Sequence, residues 1–191
     1  GAYSPTPLST EVMIEQTCVN IIEPTLKAMN EKGHPYTGFL YVGLMIVNDS
    51  PYVIEYNVRM GDPETQVVLP LLDSSLFELL YKASEGSLSD VKFKISDKTA
   101  VTVVLASKGY PREYEKNMMI KINTDKNDLV FHAGTKVDNN ILYATGGRVL
   151  NVVGFGDNLS AAISNAYDIA SRIEFENKYL RTDIGQKGLK Y

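Results

Sequence analysis

The 191-residue sequence contains no tryptophan, one cysteine and two histidines. A lone cysteine cannot form a disulfide within the chain, so we expect no disulfide framework and predict a reducing, cytoplasmic location. Cys18 lies among apolar residues of a predicted helix and is interpreted as a small core residue. His34 and His132 are distant in sequence and show no metal-ligand spacing, so we interpret both as structural.

The sequence also lacks a basic excess and a long apolar run. Its 19 Lys and Arg against 23 Asp and Glu give a formal net charge of −4, which argues against a surface that binds nucleic acid or an anionic membrane. The longest apolar stretch, residues 38–47, is far shorter than the roughly 20 residues of a membrane-spanning helix. We predict neither a nucleic-acid partner nor a membrane partner.

The chain begins without methionine, in a proline-rich segment over residues 1–7. This start indicates a loop of a longer protein, although a complete domain with its methionine removed stays open. With 44% hydrophobic and 22% charged residues, the composition is that of a folded protein.

The first half of the chain predicts helices and an antiparallel hairpin. Apolar residues recur at helical spacing from the Ser9 or Thr10 cap to about Lys32, with an interruption near Ile22 because Pro24 removes a backbone donor. Residues 38–47 read as a central strand covered on both faces. The turn at 48–51 is short enough to join only antiparallel neighbours, so residues 52–59 are expected to pair with this strand as a hairpin. A helix is predicted at 73–83.

The second half predicts short strands and a final helix. Strands are expected at 91–95, 100–107, 119–122, 129–132, 142–145 and 148–153. Gly146 and Gly147 are expected to form a tight turn between the last two strands, which then pair with each other. The final helix is expected at 159–174. We therefore predict an α+β chain with a domain boundary near residue 85, giving domains 1–85 and 86–191.

The strand at 52–59 carries the residues of greatest chemical interest. Side chains alternate across a strand, which predicts Ile54, Tyr56 and Val58 on a core face and the polar set Glu55, Asn57 and Arg59 on the other. A carboxylate and an amide oxygen two residues apart can hold Mg²⁺ or Mn²⁺, and a guanidinium can hold a phosphate. The alternative is a solvated polar face without a site.

A loop with two carboxylates follows this strand immediately. Gly61-Asp62-Pro63-Glu64-Thr65-Gln66 combines charge with a proline-constrained turn, which is unusual for a simple connection. This loop favours the metal hypothesis over the solvated face.

These residues resemble the phosphoribosylamine–glycine ligase family, also called glycinamide ribonucleotide synthetases, of the ATP-grasp superfamily. The resemblance lies in the strings at 36–41 and 55–66 and continues through 1–5, 106–111, 132–136, 146–150 and 179–185, in family order. It implies the carboxyl-terminal part of an ATP-grasp domain, an antiparallel sheet with helices, followed by a small β-rich domain that ends in a helix. Residues 144–145 depart from the pattern without affecting an assigned role.

The resemblance implies an ATP-dependent ligase of purine biosynthesis. Such an enzyme uses ATP to phosphorylate the glycine carboxylate, which gives glycyl phosphate and ADP. The amine of 5-phosphoribosylamine then attacks the acyl phosphate to give glycinamide ribonucleotide and phosphate. Carried over by position, Glu55 and Asn57 are the expected ligands of Mg²⁺ or Mn²⁺, and Arg59 is the expected catalytic residue that steadies a phosphate.

The family's phosphate-gripping lysines and adenine-binding hinge would precede Gly1, so the expected partner is a missing amino-terminal part of the same enzyme. Two alternatives stay open: a catalytically inactive isolated fragment, and another ATP-grasp carboxylate-amine ligase. Lys108, Lys136 and Arg148 are candidates for the mouth of the cleft, with solvated charge as their default interpretation.

Overall fold

The chain folds into α-helices and antiparallel strands, in a computed structural model that describes residues Gly1 to Tyr191. The α-helices are α1 (Glu11–Thr17), α2 (Glu23–Glu31), α3 (Thr65–Val68), α4 (Leu76–Ser84) and α5 (Leu159–Ser171). A π-helical turn spans Cys18–Ile22, and 3-10 turns span Leu69–Leu71, Leu88–Asp90 and Gly188–Lys190. None of the helices has the length and apolar character needed to cross a membrane.

The strands are β1 (Ala2–Ser4), β2 (Tyr41–Val47), β3 (Ser50–Asn57), β4 (Thr99–Ser107), β5 (Met118–Met119), β6 (Lys121–Ile122), β7 (Leu129–His132), β8 (Thr135–Asp138), β9 (Ile141–Ala144), β10 (Arg148–Gly156), β11 (Ile173–Glu174) and β12 (Lys178–Tyr179). All strand pairs are antiparallel. The predicted α+β class is confirmed.

Contacts divide the chain into two compact units, each built from separate segments. The sheet unit comprises Gly1–Pro5, Asp62–Leu71 and Ser96–Tyr191, and the hairpin unit comprises Thr6–Gly61 and Leu72–Ile95. The chain therefore passes repeatedly from one unit to the other. The domain boundary near residue 85 stays a prediction, because compact units and family domains are different divisions of a chain.

The helical part of the hairpin unit begins at a capped residue and is interrupted beside a proline. The side chain of Thr10 accepts a hydrogen bond of 3.2 Å from a first-turn N–H. Pro24 has no N–H, and just before it the Glu23 N–H donates to the Cys18 carbonyl, five residues back, which makes the turn π-helical. The interruption expected at this point is confirmed.

Strands β2 and β3 form a hairpin with a two-residue turn. Asn48 and Asp49 have φ values of 49° and 56°, the left-handed conformations of a type I′ turn. The predicted hairpin is confirmed. The prediction of a central strand covered on both faces is wrong for this chain: β2 pairs with β3 alone, and Met45 is 54% exposed. The apolar character of a strand indicates that its side chains are buried, but it does not identify the segment that covers them.

The sheet unit is built around a five-stranded sheet in the order β1-β4-β10-β7, with β12 also paired to β4. Helix α5 covers one face, where Gly154 permits close approach: a Cβ atom there would lie 2.1 Å from the Ala166 nitrogen. On the other face Val67 and Leu71 pack with Ala100 and Val153. The fully buried side chains include Val101, Val103, Leu105, Val149, Leu150, Val152 and Ile173.

Helices α4 and α5 match the predicted helices within a few residues, but three local predictions are wrong. Residues 173–174 form β11 rather than the end of α5. Residues 91–95 form no strand and contribute one bridge, from Ile95 to Leu72. Strand β9 pairs with β5 and β8, and β10 with β4 and β7, so the Gly146-Gly147 segment connects two different sheets.

Candidate metal-binding strand and adjoining loop

The side chains of Glu55 and Asn57 lie next to each other at the end of β3. Asn57 Nδ2 donates a hydrogen bond of 2.9 Å to Glu55 Oε1. This bond leaves the amide oxygen Oδ1 of Asn57 and the second carboxylate oxygen of Glu55 as acceptors. Glu55 is exposed and Asn57 is half-buried. The expected proximity of these two oxygen donors is therefore present in the structure.

The neighbouring strand makes room for the Glu55 side chain at a glycine. Gly43 is the register partner of Glu55, and a Cβ atom on Gly43 would lie 3.0 Å from Glu55 Cγ. The register shifts between Gly43 and Leu44, which marks a β-bulge. Sequence reasoning missed Gly43, although an isolated glycine inside an apolar strand is a signal of a bulge or a close approach.

The bulge also disturbs the predicted alternation of apolar residues. Val53 and Tyr56, three positions apart, both line the groove beside the helices, where Tyr56 Oη lies 3.0 Å from Thr25 Oγ1. Ile54 and Val58 are 62% and 74% exposed. The predicted core face of Ile54, Tyr56 and Val58 is therefore wrong in this chain.

Arg59 lies beyond the end of the strand. Strand β3 ends at Asn57, so strand alternation does not assign Arg59 to the face of Glu55. Its Nη1 donates a hydrogen bond of 3.1 Å to the Met60 carbonyl, and the side chain is exposed. Its role toward a phosphate stays a prediction.

The loop after the strand is held within the sheet unit at Asp62. Gln66 Nε2 donates to Asp62 Oδ1 at 3.1 Å, and Arg148 Nη1 donates to the Asp62 carbonyl at 2.9 Å. Arg148 Nη2 also lies 3.0 Å from Asp62 Oδ2. Arg148 was a candidate for the cleft mouth from sequence. Its partner could not be identified there, because Asp62 lies 86 residues away along the chain.

The remaining candidates form no further centre. His132 Nδ1 lies 3.0 Å from Thr135 Oγ1, a local contact across the turn that joins β7 to β8. Cys18 is half-buried in the π-helical turn. No group of three or more His, Cys, Asp and Glu side chains is arranged to hold a metal ion. The assignment of Glu55 and Asn57 as metal ligands stays a prediction.

Two family models match the chain in succession. Residues 1–65 match the ATP-grasp (A) domain of phosphoribosylglycinamide synthetase, and residues 100–187 match its C domain. The chain is 49% identical over 193 residues to a phosphoribosylamine–glycine ligase of Chlorobaculum tepidum, with 99% of the chain and 45% of the relative covered. Identity to the Agrobacterium fabrum ligase is 47%, again over 99% of the chain and 45% of the relative.

Solved structures agree in fold. The crystal structure of the Thermotoga maritima phosphoribosylamine–glycine ligase superposes with a TM-score of 0.83 at 35% identity, covering 95% of this chain and 45% of that one. The biotin carboxylase subunit of pyruvate carboxylase superposes with a TM-score of 0.63 over 93% of this chain and 39% of that one; at 16% identity it shows the fold alone.

The chain therefore spans a little under half the length of these relatives. Both family models, the relatives that match the whole chain and the Thermotoga maritima structure point to the same family. The chain belongs to the phosphoribosylglycinamide synthetase family, that of the phosphoribosylamine–glycine ligases within the ATP-grasp superfamily.

Proposed function

We propose that the chain is part of an ATP-dependent ligase that joins 5-phosphoribosylamine and glycine to give glycinamide ribonucleotide, ADP and phosphate through glycyl phosphate, in purine biosynthesis. The observation that carries this proposal is the hydrogen-bonded pair of Glu55 and Asn57, in a chain whose relatives bear the name of that ligase. Phosphoryl transfer depends mainly on positioning and on neutralising phosphate charge, and a divalent cation held by a carboxylate–amide pair would serve both needs.

Glu55 and Asn57 are proposed to hold Mg²⁺ or Mn²⁺. A divalent ion supplies charge neutralisation at the phosphates of ATP and orients them. The donor set fits such an ion, because both side chains offer hard oxygen ligands and are already adjacent. The room left by Gly43 lets the carboxylate stand over the neighbouring strand without a steric clash.

Arg59 is proposed to hold a phosphate or the acyl phosphate. Its guanidinium is planar, permanently charged and exposed, and one nitrogen is bound to a carbonyl while the others remain available. A fixed cation would stabilise charge that develops on the transferred group.

The rest of the ligase is proposed to be the partner of this chain. The relatives are about twice as long, and the groups that grip ATP phosphates and adenine are assigned to that other part. The hairpin unit has one buried apolar side chain, Ile21. Its exposed apolar residues, including Met45, Ile54, Val58, Phe77 and Phe93, would be covered by that part. A cytoplasmic location is proposed as well, because the single cysteine of this chain gives it no internal disulfide.

Two alternatives differ in a measurable way. A catalytically inactive isolated fragment would not restore ligase activity to any partner part. Another ATP-grasp carboxylate-amine ligase would consume ATP with a different acid or amine and would not make glycinamide ribonucleotide. Product formation that requires both glycine and 5-phosphoribosylamine separates the proposed ligase from both.

The first test replaces the metal-binding pair in the full-length ligase. Glu55→Gln and Asn57→Leu are expected to lower kcat by on the order of 100-fold, because each removes a charge or an oxygen ligand. Circular dichroism and the Tm should remain close to those of the unaltered ligase. Glu15→Gln and Asn30→Leu are matched controls in the same unit, both exposed on its helices, and should keep normal rates.

Magnesium titration is the decisive readout. The two variants should need more Mg²⁺ for half-maximal rate, whereas the controls should not. Normal rates together with unchanged metal dependence in either variant would remove that residue from the site.

A further inference from the structure

Three segments of the sheet unit, whose sequence motifs have no role in the proposed metal site, meet around Arg148. The first is the end of β4. Ser107 Oγ donates to the Gly146 carbonyl at 3.0 Å, and Ser107 N donates to the Gly147 carbonyl at 2.8 Å. These two bonds fix the backbone immediately before Arg148.

The second segment is the turn between β7 and β8. Gly134 N donates to the Arg148 carbonyl at 2.9 Å, and Gly134 O accepts from the Gly146 N–H at 3.1 Å. The two backbones are so close that a Cβ atom on Gly134 would lie 2.6 Å from Gly146 Cα. No residue larger than glycine fits this contact without displacing the backbone.

The third segment is the loop after β4. The ring of Tyr110 lies against Gly147, where a Cβ atom would be 2.2 Å from Tyr110 Cδ2. Arg148 is therefore preceded by two glycines that are packed and hydrogen-bonded to three parts of the sheet unit. A side chain placed on such a fixed backbone can direct its charged group accurately.

The guanidinium of Arg148 is directed at one residue, Asp62. Nη1 donates to the Asp62 carbonyl at 2.9 Å and Nη2 lies 3.0 Å from its Oδ2, while Gln66 Nε2 donates to the remaining oxygen, Oδ1, at 3.1 Å. Asp62 is the first residue after the chain leaves the hairpin unit at Gly61, five positions beyond Asn57. All three oxygens of this residue are thus held from within the sheet unit.

Neither stability nor anion binding accounts well for this arrangement. The side chains of Arg148 and Asp62 are 37% and 45% exposed, and exposed ion pairs contribute little to folding. Arg148 also borders a cavity of about 310 Å³ together with Arg181, but two of its nitrogens are already bound to Asp62. A two-point contact between a planar fork and one residue mainly fixes orientation.

We propose that Arg148 is a positioning residue for the ligase reaction: it fixes Asp62, and with it residues 62–66 of the sheet unit, the segment that follows the proposed metal-binding strand in sequence. This proposal rests on the proposed function. A displacement of about 1 Å in a catalytic segment lowers a rate by roughly 100-fold even when chemical groups are unchanged. Arg148 thus acts through Asp62 and without contact to substrate.

The test uses the full-length ligase with Arg148→Met, Arg148→Lys, Asp62→Asn and the double variant Arg148→Met/Asp62→Asn. Arg148→Met is expected to lower kcat by about 10- to 100-fold, with the KM for ATP and the Tm nearly unchanged. Arg148→Lys should recover part of the rate, because it restores the charge but not the fork. Arg181→Met is the matched control: Arg181 borders the same cavity, pairs locally with Asp183 and should not affect kcat.

The double variant decides whether Arg148 acts through Asp62. In the Asp62→Asn background, Arg148→Met should lower kcat by a smaller factor than in the unaltered enzyme, because the ion pair is already absent and only the bond to the carbonyl of residue 62 is lost in full. A full, multiplied loss would overturn the proposal, as would a kcat within about twofold of the unaltered enzyme for Arg148→Met. If Arg148→Met does not fold, a normal kcat for Arg148→Lys overturns it. Absence of ligase activity from the unaltered enzyme would instead refute the proposed function.

Discussion

At the scale of single residues, the hydrogen bond between Asn57 and Glu55 orients the amide as well as joining the two side chains. Because the amide group is planar, committing Nδ2 to the carboxylate directs Oδ1 away from it. The hydrogen bond therefore restricts both side chains before any ion binds, and less side-chain freedom is lost on binding. The same fixed geometry makes the position of the Glu55 carboxylate depend on its neighbours, above all on the β2 residue that faces it.

Gly43 provides the test at this scale. Strand propensity alone predicts that Gly43→Ala and Gly43→Val stabilise β2 by up to ~1 kcal/mol. The structure predicts a loss of function, because the new Cβ atom would lie 3.0 Å from Glu55 Cγ and displace the carboxylate. In the full-length ligase we expect a several-fold higher Mg²⁺ requirement for Ala and a larger one for Val, with no loss of Tm.

Magnesium titrations and thermal melts of the two variants would measure both effects. Wild-type metal dependence in Gly43→Val would show that the carboxylate is not confined by β2. That result would weaken the assignment of Glu55 as a prepositioned ligand.

At the scale of elements, the carboxyl-terminal segment is attached to α5 through one hydroxyl. Tyr167 Oη donates to the Arg181 carbonyl at 2.7 Å and accepts from the Ile184 N–H at 3.0 Å. The half-buried side chain of Tyr167 thus satisfies two backbone groups of a segment without regular secondary structure. The segment also brings Ile184 into the core.

Tyr167→Phe should therefore destabilise the chain by roughly 1–3 kcal/mol, since two polar backbone groups lose their partner. Urea denaturation followed by circular dichroism measures this loss. Tyr179→Phe is the control, because it removes the same hydroxyl from a side chain that is half exposed. Equal stability of the two variants would contradict the role of Tyr167.

The effect should depend on pH in a defined direction. Burial raises the pKa of Tyr167, and the Ile184 N–H partly opposes this. A folded-state pKa above the unfolded value means that the stabilisation is complete below about pH 10 and is lost as pH rises further. The stability difference between the unaltered chain and Tyr167→Phe should shrink in alkaline solution; growth of the difference would contradict this assignment.

The elements that local chemistry determines were the ones that sequence could predict. Pro24 predicted the interrupted helix, and the turn expected at 48–51 predicted the hairpin, which the structure closes in the two residues Asn48 and Asp49. Pairing between distant strands was not predictable: no local signal distinguishes a turn between β9 and β10 from a passage between two sheets. For the same reason the proximity of Glu55 and Asn57 was predictable from sequence, whereas the Arg148–Asp62 contact required the structure.

At the scale of the whole molecule, apolar burial is distributed unequally between the units. Apart from Ile21, every buried apolar side chain belongs to the sheet unit. A region with few buried apolar contacts opens at low free energy, so we expect the hairpin unit to exchange its amide hydrogens much faster than β4 and β10. That unit carries Glu55 and Asn57, which links the weakest part of the fold to the proposed chemistry.

The last prediction concerns activity of the 191-residue chain by itself. Catalysis by an ATP-grasp site requires metal ligands, phosphate donors and an adenine site acting on one transition state, and this chain is proposed to supply the metal ligands. We expect the purified chain to fold in its sheet unit but to form no glycinamide ribonucleotide from ATP, Mg²⁺, glycine and freshly generated 5-phosphoribosylamine.

Addition of the separately expressed amino-terminal part should restore ADP and product formation, because it would cover the exposed apolar residues of the hairpin unit and complete the site. The same mixture made with a Glu55→Gln chain is the matched control: it should associate equally well, with little turnover. Association with turnover in the unaltered mixture and without turnover in the control would place Glu55 in the chemistry rather than in assembly. Substantial product formation by the chain alone would show instead that the phosphate and adenine sites lie within these 191 residues. The proposal that the other part of the ligase supplies those sites would then be wrong.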